Sequence, residues 1–364
     1  MALVTTARDD MYFHGCNYPW STDGTTIYYG LDFGANVWGS HLGVSTRRDA
    51  IARDFARMAA LGFTVARWFL FCDGRAGIEY DEAGLPVGAD AHLYDDVDAA
   101  LEIARDAGIR LDFVLLDHRW MFNGVREVIA DPVSGAILEG RLTEGRANVL
   151  LTRRGEDALF ERLLVPLLRR YGPFGSRADL ASSVLAWEFM NEPDWIVEEW
   201  ERDLSRHVAR PLPFETLARL VGRFSDAVHE HTRALATLGG GRARNLWAWD
   251  DEGLALDVLQ VHQYPDVRHP EWDDKVFDAP WRSLGLRRAV IIGEFPGDPG
   301  RHPHGRKPDP VQLDEYLALA QAGGYWGAWP WSFSGTDAYG PLPTEPLHRF
   351  AARYPDLVNP RYQP

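Results

Sequence analysis

Two glutamates beside apolar runs are the residues in this sequence best placed to do chemistry. Glu192 stands in the segment 187–195, directly before Pro193, and a proline cannot continue the hydrogen bonding of a strand. Glu294 follows the apolar run 289–292. Cleavage of a glycosidic bond needs one carboxylic acid to protonate the departing oxygen and one carboxylate to attack the anomeric carbon. The two glutamates are therefore candidates for this pair.

The residue types nearby suggest how the two carboxylates divide the work. In a retaining enzyme they stand about 5–5.5 Å apart, and the acid keeps a raised pKa while the nucleophile stays ionised. Arg67 and Tyr264 each stand at the end of a predicted strand and could donate hydrogen bonds that keep Glu294 charged. We therefore predict that Glu294 is the nucleophile and Glu192 the acid/base. Glu188, earlier in the same strand as Glu192, is predicted to be a buried partner of an arginine or a backbone amide.

Short β-branched and aromatic runs alternate with amphipathic stretches along the chain, a pattern typical of a parallel sheet with crossover helices. The candidate strands end near Asn17, Phe69, Asp117, Met190, Asp250, His262, Glu294 and Trp331. Helices are predicted over residues 47–61, 94–107, 156–171, 214–238 and 311–322, with a kink at Pro166. Eight such units favour a single (β/α)₈ TIM barrel of the α/β class over residues 1–364.

Three of the loops after predicted strands are long, at residues 72–93, 118–154 and 193–213. Long loops in a compact domain are commonly functional or disordered. Their aromatic residues, among them Trp120 and Trp195, favour the walls of a substrate cleft, so we predict that these two tryptophans contact substrate. The sequence leaves open whether the loops close a pocket, which gives exo action, or leave a groove, which gives endo action.

These positions together resemble the motifs of glycoside hydrolase clan A, and most of all those of family 5. The matching positions are Arg67, His118, Asn191-Glu192-Pro193, His262-Gln263-Tyr264, Gly293-Glu294-Phe295 and Trp331. They lie in the clan's expected order, and the resemblance spans residues 12–334. It implies a retaining β-glycoside hydrolase that acts on β-linked oligosaccharides.

The resemblance also implies roles for individual side chains. Asn191 would hydrogen-bond the 2-hydroxyl of the sugar, and Trp331 would form the floor under the sugar in the −1 subsite. Tyr264 would orient the nucleophile. His118 and His262 would bind sugar or support the groups that do, although each could also be an ordinary core histidine.

Segment 187–193 resembles the β-mannanase and β-mannosidase branch in particular, which implies β-mannosides as substrates. Cellulase-like members share most of the other positions, so a β-glucosidase or endo-β-glucanase stays an alternative. A barrel that binds glycans without cleaving them is the other alternative. Asp194 and Trp195 depart from the pattern, because mannanases often carry a basic residue after the proline.

Metal-dependent and serine or cysteine hydrolysis fit the sequence less well. His229 and His231 fall in a predicted helix, where residues two apart point to different faces. His302 and His304 have no carboxylate nearby in the sequence. Neither cysteine lies in a recognisable nucleophile turn, and the sequence has no Gly-x-Ser-x-Gly motif. We expect no metal or organic cofactor.

The composition excludes several classes of partner. A formal charge of −15 would repel nucleic acids and anionic lipid headgroups. Residues 1–10 show no signal-peptide pattern, and no run approaches the roughly 18 apolar residues of a membrane helix. We therefore predict a cytoplasmic enzyme, with secretion as the alternative if a leader was removed. We expect an oligosaccharide substrate and no nucleic-acid or membrane partner, and the oligomeric state stays open. Cys16 and Cys72 are predicted to be free thiols.

Overall fold

A closed parallel barrel forms the centre of the molecule. The computed structural model describes residues 11–21, 30–37, 39–122, 145–200, 208, 210–264, 276–298, 312–335, 339 and 341–363, with the backbone alone at 126–130, 137–141 and 144. Within these residues the barrel strands are β1 (Phe13–Asn17), β2 (Val65–Cys72), β3 (Arg110–Asp117), β4 (Val184–Asn191), β5 (Leu235–Gly240), β6 (Leu259–His262), β7 (Val290–Pro296) and β8 (Gly327–Trp331). Each strand pairs in parallel with the next in the chain, and β8 pairs with β1. The predicted (β/α)₈ TIM barrel is confirmed.

Amphipathic helices connect these strands. The helices in the described residues are Arg48–Ala60, Leu93–Ala107, Ala147–Leu151, Arg153–Leu159, Val165–Arg170, Phe214–His231, Leu246–Trp249, Leu313–Ala322 and Thr344–Arg353. In the second of them Val97, Leu101 and Ala104 are fully buried, at the spacing of one helical face. Two antiparallel hairpins, Ile78–Tyr80 with Pro86–Ala89 and Arg126–Ala130 with Ile137–Arg141, lie in the loops after β2 and β3.

The fifth barrel strand differs from its prediction. The sequence pattern predicts a helix up to residue 238 and a strand ending near Asp250, but the helix ends at His231 and β5 follows at once. Thr232 leaves the helix with an extended backbone, and its hydroxyl donates to the carbonyl of Val228 at 2.9 Å. The apolar residues of β5 fit a buried helix face as well as a buried strand, and periodicity alone cannot separate the two.

In place of the kink predicted at Pro166, the helix has a π-helical turn just before this residue. Residues Phe160–Leu164 form this turn, between the helical segments Arg153–Leu159 and Val165–Arg170. A proline has no N–H for the carbonyl four residues earlier, and its ring clashes with that carbonyl in a regular helix. The wider turn before Pro166 relieves this conflict, and the chain continues as a helix.

The buried core is mostly apolar, but it also contains polar side chains. Trp68 and Trp187 are fully buried, and Cys16 and Cys72 are buried and form no disulfide with each other. No helix among the described residues is long and apolar enough to cross a bilayer. One of these polar side chains is His14, which is fully buried and whose ring nitrogens have no hydrogen-bond partner in the described part of the chain.

His14 is expected to make the protein sensitive to acid. Its ring lies 4.8 Å from those of Phe63 and Phe350, and burial lowers the pKa of His14 to about 3. The unfolded chain takes up this proton near pH 6.5 and the folded chain only near pH 3. Stability from this group is thus present above pH 6.5 and is lost as the pH falls, by roughly 1.4 kcal/mol per pH unit.

Urea denaturation at about pH 7.5 and about pH 5 tests this expectation on the wild-type protein and on His14→Phe. The variant should lose less stability between the two pH values, because phenylalanine has no proton to gain. If both proteins lose stability in parallel, His14 does not stay neutral in the folded state.

Candidate active site

The ends of four strands bring four of the predicted site residues to one face of the barrel. Glu192 directly follows β4, His262 ends β6, Glu294 lies in β7 and Trp331 ends β8. Glu192 adopts a left-handed backbone conformation with φ 46°, which is uncommon for a residue with a side chain. Its N–H donates to the carbonyl of Gly239 in β5 at 2.7 Å, so the neighbouring strand holds the strained turn in place.

The two glutamates lie close enough for a retaining mechanism. One carboxylate oxygen of Glu192, one of Glu294 and a ring nitrogen of His262 all lie within 4.8 Å of one another. The Nδ1 atom of His262 is 3.0 Å from Oε1 of Glu192 and 3.6 Å from Oε1 of Glu294. Inverting enzymes separate their carboxylates by about 6.5–9.5 Å to admit a water molecule. The separation in this barrel matches attack by one carboxylate on the sugar.

Arg67 is the charged centre below this pair. It is fully buried and makes five hydrogen bonds, of which the bond from Nη1 to Oε1 of Glu294 measures 2.6 Å. Its other partners are Glu188 at 2.8 and 2.6 Å, Asn17 at 3.0 Å and Asn191 at 2.7 Å. Glu188 is thus the buried partner of an arginine, as the sequence predicts. Because its hydrogen-bond partners lie on β1, β4 and β7, the guanidinium of Arg67 fixes these strands relative to one another.

Glu294 has a donor at each oxygen. Arg67 binds Oε1, and the hydroxyl of Tyr264 donates to Oε2 at 2.9 Å. Burial raises the pKa of Glu294, while the positive charges of His262 and Arg67 and the hydrogen bond from Arg67 oppose that rise. Both expected donors are therefore present, and both favour the ionised form that a nucleophile needs.

The pKa of Glu192 is lower than expected for a general acid that holds its proton in the free protein. Burial would raise the pKa of Glu192, but the hydrogen bond and charge of His262, the charge of His118 and a hydrogen bond from Trp195 lower it to about 2. Burial lowers the pKa of His262, and the charge of Glu294 together with the Glu192 hydrogen bond raises it overall above 6.5. The predicted raised pKa of Glu192 is therefore wrong for the free protein. The two shifts together favour a proton on His262 over a proton on Glu192 across their 3.0 Å contact.

Other predicted site residues lie around this cluster. Asn191 accepts a hydrogen bond from Arg67 and donates to Oδ2 of Asp117 at 2.9 Å. The His118 ring is 14% exposed and lies 3.6 Å from Asp117. Trp331 is half-buried and packs edge-on against Trp20, with ring centroids 5.8 Å apart.

Of the two loop tryptophans, only Trp195 reaches the catalytic pair. Its indole Nε1 donates to Oε2 of Glu192 at 2.9 Å. The prediction for Trp120 is wrong, because its side chain is fully buried and its indole N–H donates to the carbonyl of Arg146 at 3.0 Å. Trp120 therefore packs beneath its loop and has no surface with which to contact a sugar.

The cluster of Glu192, His262 and Glu294 has the donor types and spacing that could hold a cation. However, both oxygens of Glu294 already accept hydrogen bonds, and the guanidinium of Arg67 lies 2.6 Å from one of them. A metal ion would have to compete with this buried positive charge. His229 lies in an exposed ion pair with Asp257, and residues 302 and 304 lie outside the described part of the chain.

Comparisons with known proteins find β-mannanases that resemble this chain in sequence and in fold. The chain is 24% identical over 354 residues to a mannan endo-1,4-beta-mannosidase from Mytilus edulis, covering 88% of this chain and 83% of that protein. The β-mannanase structure from the same mussel matches 97% of this chain and 94% of its own, with a TM-score of 0.68 at 18% identity. The endo-1,4-beta-mannanase structure from Eisenia fetida matches 94% and 91%, with a TM-score of 0.67 at 19% identity.

The resemblance to glycoside hydrolase clan A is confirmed. No family model matches the chain. Sequence reasoning missed Asn17 and Asp117, which bind the arginine and the asparagine of the site. Both stand at predicted strand ends, so their position in the sequence was the available signal. Arg242, which packs on Trp195, carries no such signal, because it lies just after the observed β5 whereas the sequence pattern predicts a fifth strand that ends near Asp250.

Proposed function

We propose that this protein hydrolyses β-1,4-linked mannan or manno-oligosaccharides with net retention, using Glu294 as nucleophile and Glu192 as acid/base. The observation that carries the proposal is the distance of at most 4.8 Å between one carboxylate oxygen of Glu192 and one of Glu294. The substrate class comes from the mannan endo-1,4-beta-mannosidases that this chain resembles in sequence. Endo action on internal linkages follows from the same resemblance.

In the first step an ionised oxygen of Glu294 attacks the anomeric carbon. The glycosidic bond breaks, its electron pair stays on the departing oxygen, and that oxygen takes a proton from Glu192. Glu192 receives this proton from Nδ1 of His262, with which it shares a 3.0 Å hydrogen bond. The result is a glycosyl ester on Glu294 and a free sugar hydroxyl.

In the second step Glu192 acts as a base. It removes a proton from water, and the water oxygen bonds to the anomeric carbon as the ester bond to Glu294 breaks. Arg67 and Tyr264, which hold the two oxygens of Glu294, stabilise the carboxylate that leaves. Asn191 is held by Arg67 and Asp117, and we assign it to the 2-hydroxyl of the sugar. Trp331 is the proposed floor of the −1 subsite.

The stereochemistry and pH dependence of hydrolysis test this mechanism. Proton NMR of the first turnovers on a manno-oligosaccharide should show the β-anomer before mutarotation. Activity should be lost on the alkaline side as the pH rises through the raised pKa of His262, above 6.5, because the proton for the leaving group is then gone. A parallel assay on β-glucan oligosaccharides provides the comparison for specificity.

Each contrary outcome removes a different part of the proposal. An α-anomer as first product would contradict the nucleophile assignment. Faster hydrolysis of the glucan oligosaccharides would favour the glucanase alternative. Binding of both glycans without hydrolysis of either would identify a glycan-binding barrel.

A further inference from the structure

Both oxygens of the Glu192 carboxylate accept a hydrogen bond, and the two donors come from different strand ends. Trp195, in the loop after β4, donates its indole N–H to Oε2 at 2.9 Å. His262, at the end of β6, binds Oε1 at 3.0 Å. Rotation of the carboxylate would break both bonds at once, so this pair of donors fixes its plane.

Trp195 is itself held by the loop that follows β5. The guanidinium carbon of Arg242 lies 4.7 Å from the centroid of the Trp195 ring, and Arg242 is only 5% exposed. A cation over an indole face is attracted by the ring electrons, more strongly when water is excluded. Asp194, which is buried, accepts hydrogen bonds from the N–H of Gly241 and the side chain of Asn245, both at 2.6 Å. The loop after β5 therefore sets the position of the indole.

We propose that Trp195 is a positioning residue for the acid/base and that Arg242 acts through it. This inference rests on the proposed function of Glu192. The indole N–H occupies Oε2 and leaves Oε1 as the oxygen through which the proton passes from His262 to the leaving group. In the second step the same hydrogen bond orients the ionised carboxylate towards water.

The choice of an indole as donor has a physical reason. A cationic side chain at Oε2 would favour the charged carboxylate strongly and would oppose its protonation. The indole N–H is neutral, so it fixes the oxygen while Glu192 can still accept the proton held by His262. The positive charge of Arg242 lies behind the ring, 4.7 Å from its centroid.

The test compares a poor and a good leaving group. Cleavage of a manno-oligosaccharide needs a proton on the departing oxygen, whereas departure of dinitrophenolate from a dinitrophenyl β-mannoside does not. We expect Trp195→Phe to lower kcat/KM for glycosylation about 10- to 100-fold on the oligosaccharide, the worth of one hydrogen bond to a charged group. The value for the dinitrophenyl substrate should change by less than about threefold. The alkaline limb should also move to higher pH, because the ionised carboxylate has lost a donor.

Trp68→Phe is the matched control. Trp68 also donates its indole N–H to a buried carboxylate, Oδ2 of Asp32 at 2.8 Å, and it packs outside the site. This variant should keep the wild-type ratio of kcat/KM on the oligosaccharide to kcat/KM on the dinitrophenyl substrate. Trp195→His retains a ring N–H, so its kcat/KM on the oligosaccharide should recover part of the value lost in Trp195→Phe. Arg242→Met should lose less kcat/KM than Trp195→Phe, with the same dependence on the leaving group.

Arg242→Met also serves as the test if Trp195→Phe does not fold. The inference is overturned if Trp195→Phe, or Arg242→Met in its place, keeps the wild-type ratio and the wild-type alkaline limb. If the wild-type protein hydrolyses neither substrate, the proposed function fails and this inference fails with it. These two failures are distinguishable, because the first requires an active wild-type enzyme.

Discussion

Replacement of Glu294 by alanine is expected to lower kcat on a manno-oligosaccharide by about 10⁵-fold, the order of loss seen when a covalent nucleophile is removed. The physical reason is that, among the residues that the structure describes, no other carboxylate can reach the anomeric carbon from the same side. Glu188 is fully buried and bound to Arg67, and Glu192 is committed to the leaving group. Initial rates at a saturating substrate concentration measure the loss.

Azide rescue identifies the role of the deleted group. In Glu294→Ala the small anion can attack from the vacated side of the sugar, so a dinitrophenyl β-mannoside should yield the α-mannosyl azide. In Glu192→Ala the nucleophile is intact, and azide should replace water in the second step and yield the β-azide. Glu79→Gln, at an exposed position in the hairpin after β2, is the control and should keep wild-type activity. If azide yields the same anomer in both active-site variants, the two glutamates do not have the separate roles assigned to them.

Local sequence was sufficient to predict that Glu192 and Glu294 meet on one face of the barrel. Glu192 is followed by a proline, and Glu294 follows a run of buried strand residues, so each segment fixes where its strand ends. The ends of parallel barrel strands meet on one face whatever their separation along the chain. The same logic placed Arg67 and Tyr264 beside Glu294.

Local sequence could not predict which of the two glutamates has the lower pKa. It depends on which carboxylate lies closer to Nδ1 of His262, a difference between 3.0 and 3.6 Å that results from side-chain packing. The roles of the loop tryptophans have a similar origin. Trp120 and Trp195 are both in loops after strands, but the first finds a backbone carbonyl in the interior and the second finds a carboxylate at the site. A sequence pattern does not contain these long-range contacts.

Arg67→Met is expected to have the largest effect on stability. The substitution removes five buried hydrogen bonds and leaves the carboxylates of Glu188 and Glu294 without their cation. Breaking a buried ion pair from one side commonly costs about 3–5 kcal/mol. Urea denaturation should therefore show a loss of this size at neutral pH, and kcat should fall by roughly 10²- to 10³-fold because the leaving carboxylate is no longer stabilised.

A second substitution separates the structural role of Arg67 from its catalytic role. Adding Glu188→Gln to Arg67→Met removes one of the carboxylates left without its cation, so it should restore part of the stability and none of the activity.

The pH dependence of the stability loss in Arg67→Met has a definite sign. Burial already raises the pKa of Glu294, and without the opposing charge of Arg67 it rises further. A folded-state pKa raised above the unfolded value favours the folded protein below the unfolded value and penalises it as the pH rises. The loss of unfolding free energy in Arg67→Met should therefore become smaller as the pH is lowered from about 7.5 to about 5. A loss that is equal at both pH values, or activity that returns with Glu188→Gln, would show that Arg67 does not hold Glu294 by charge.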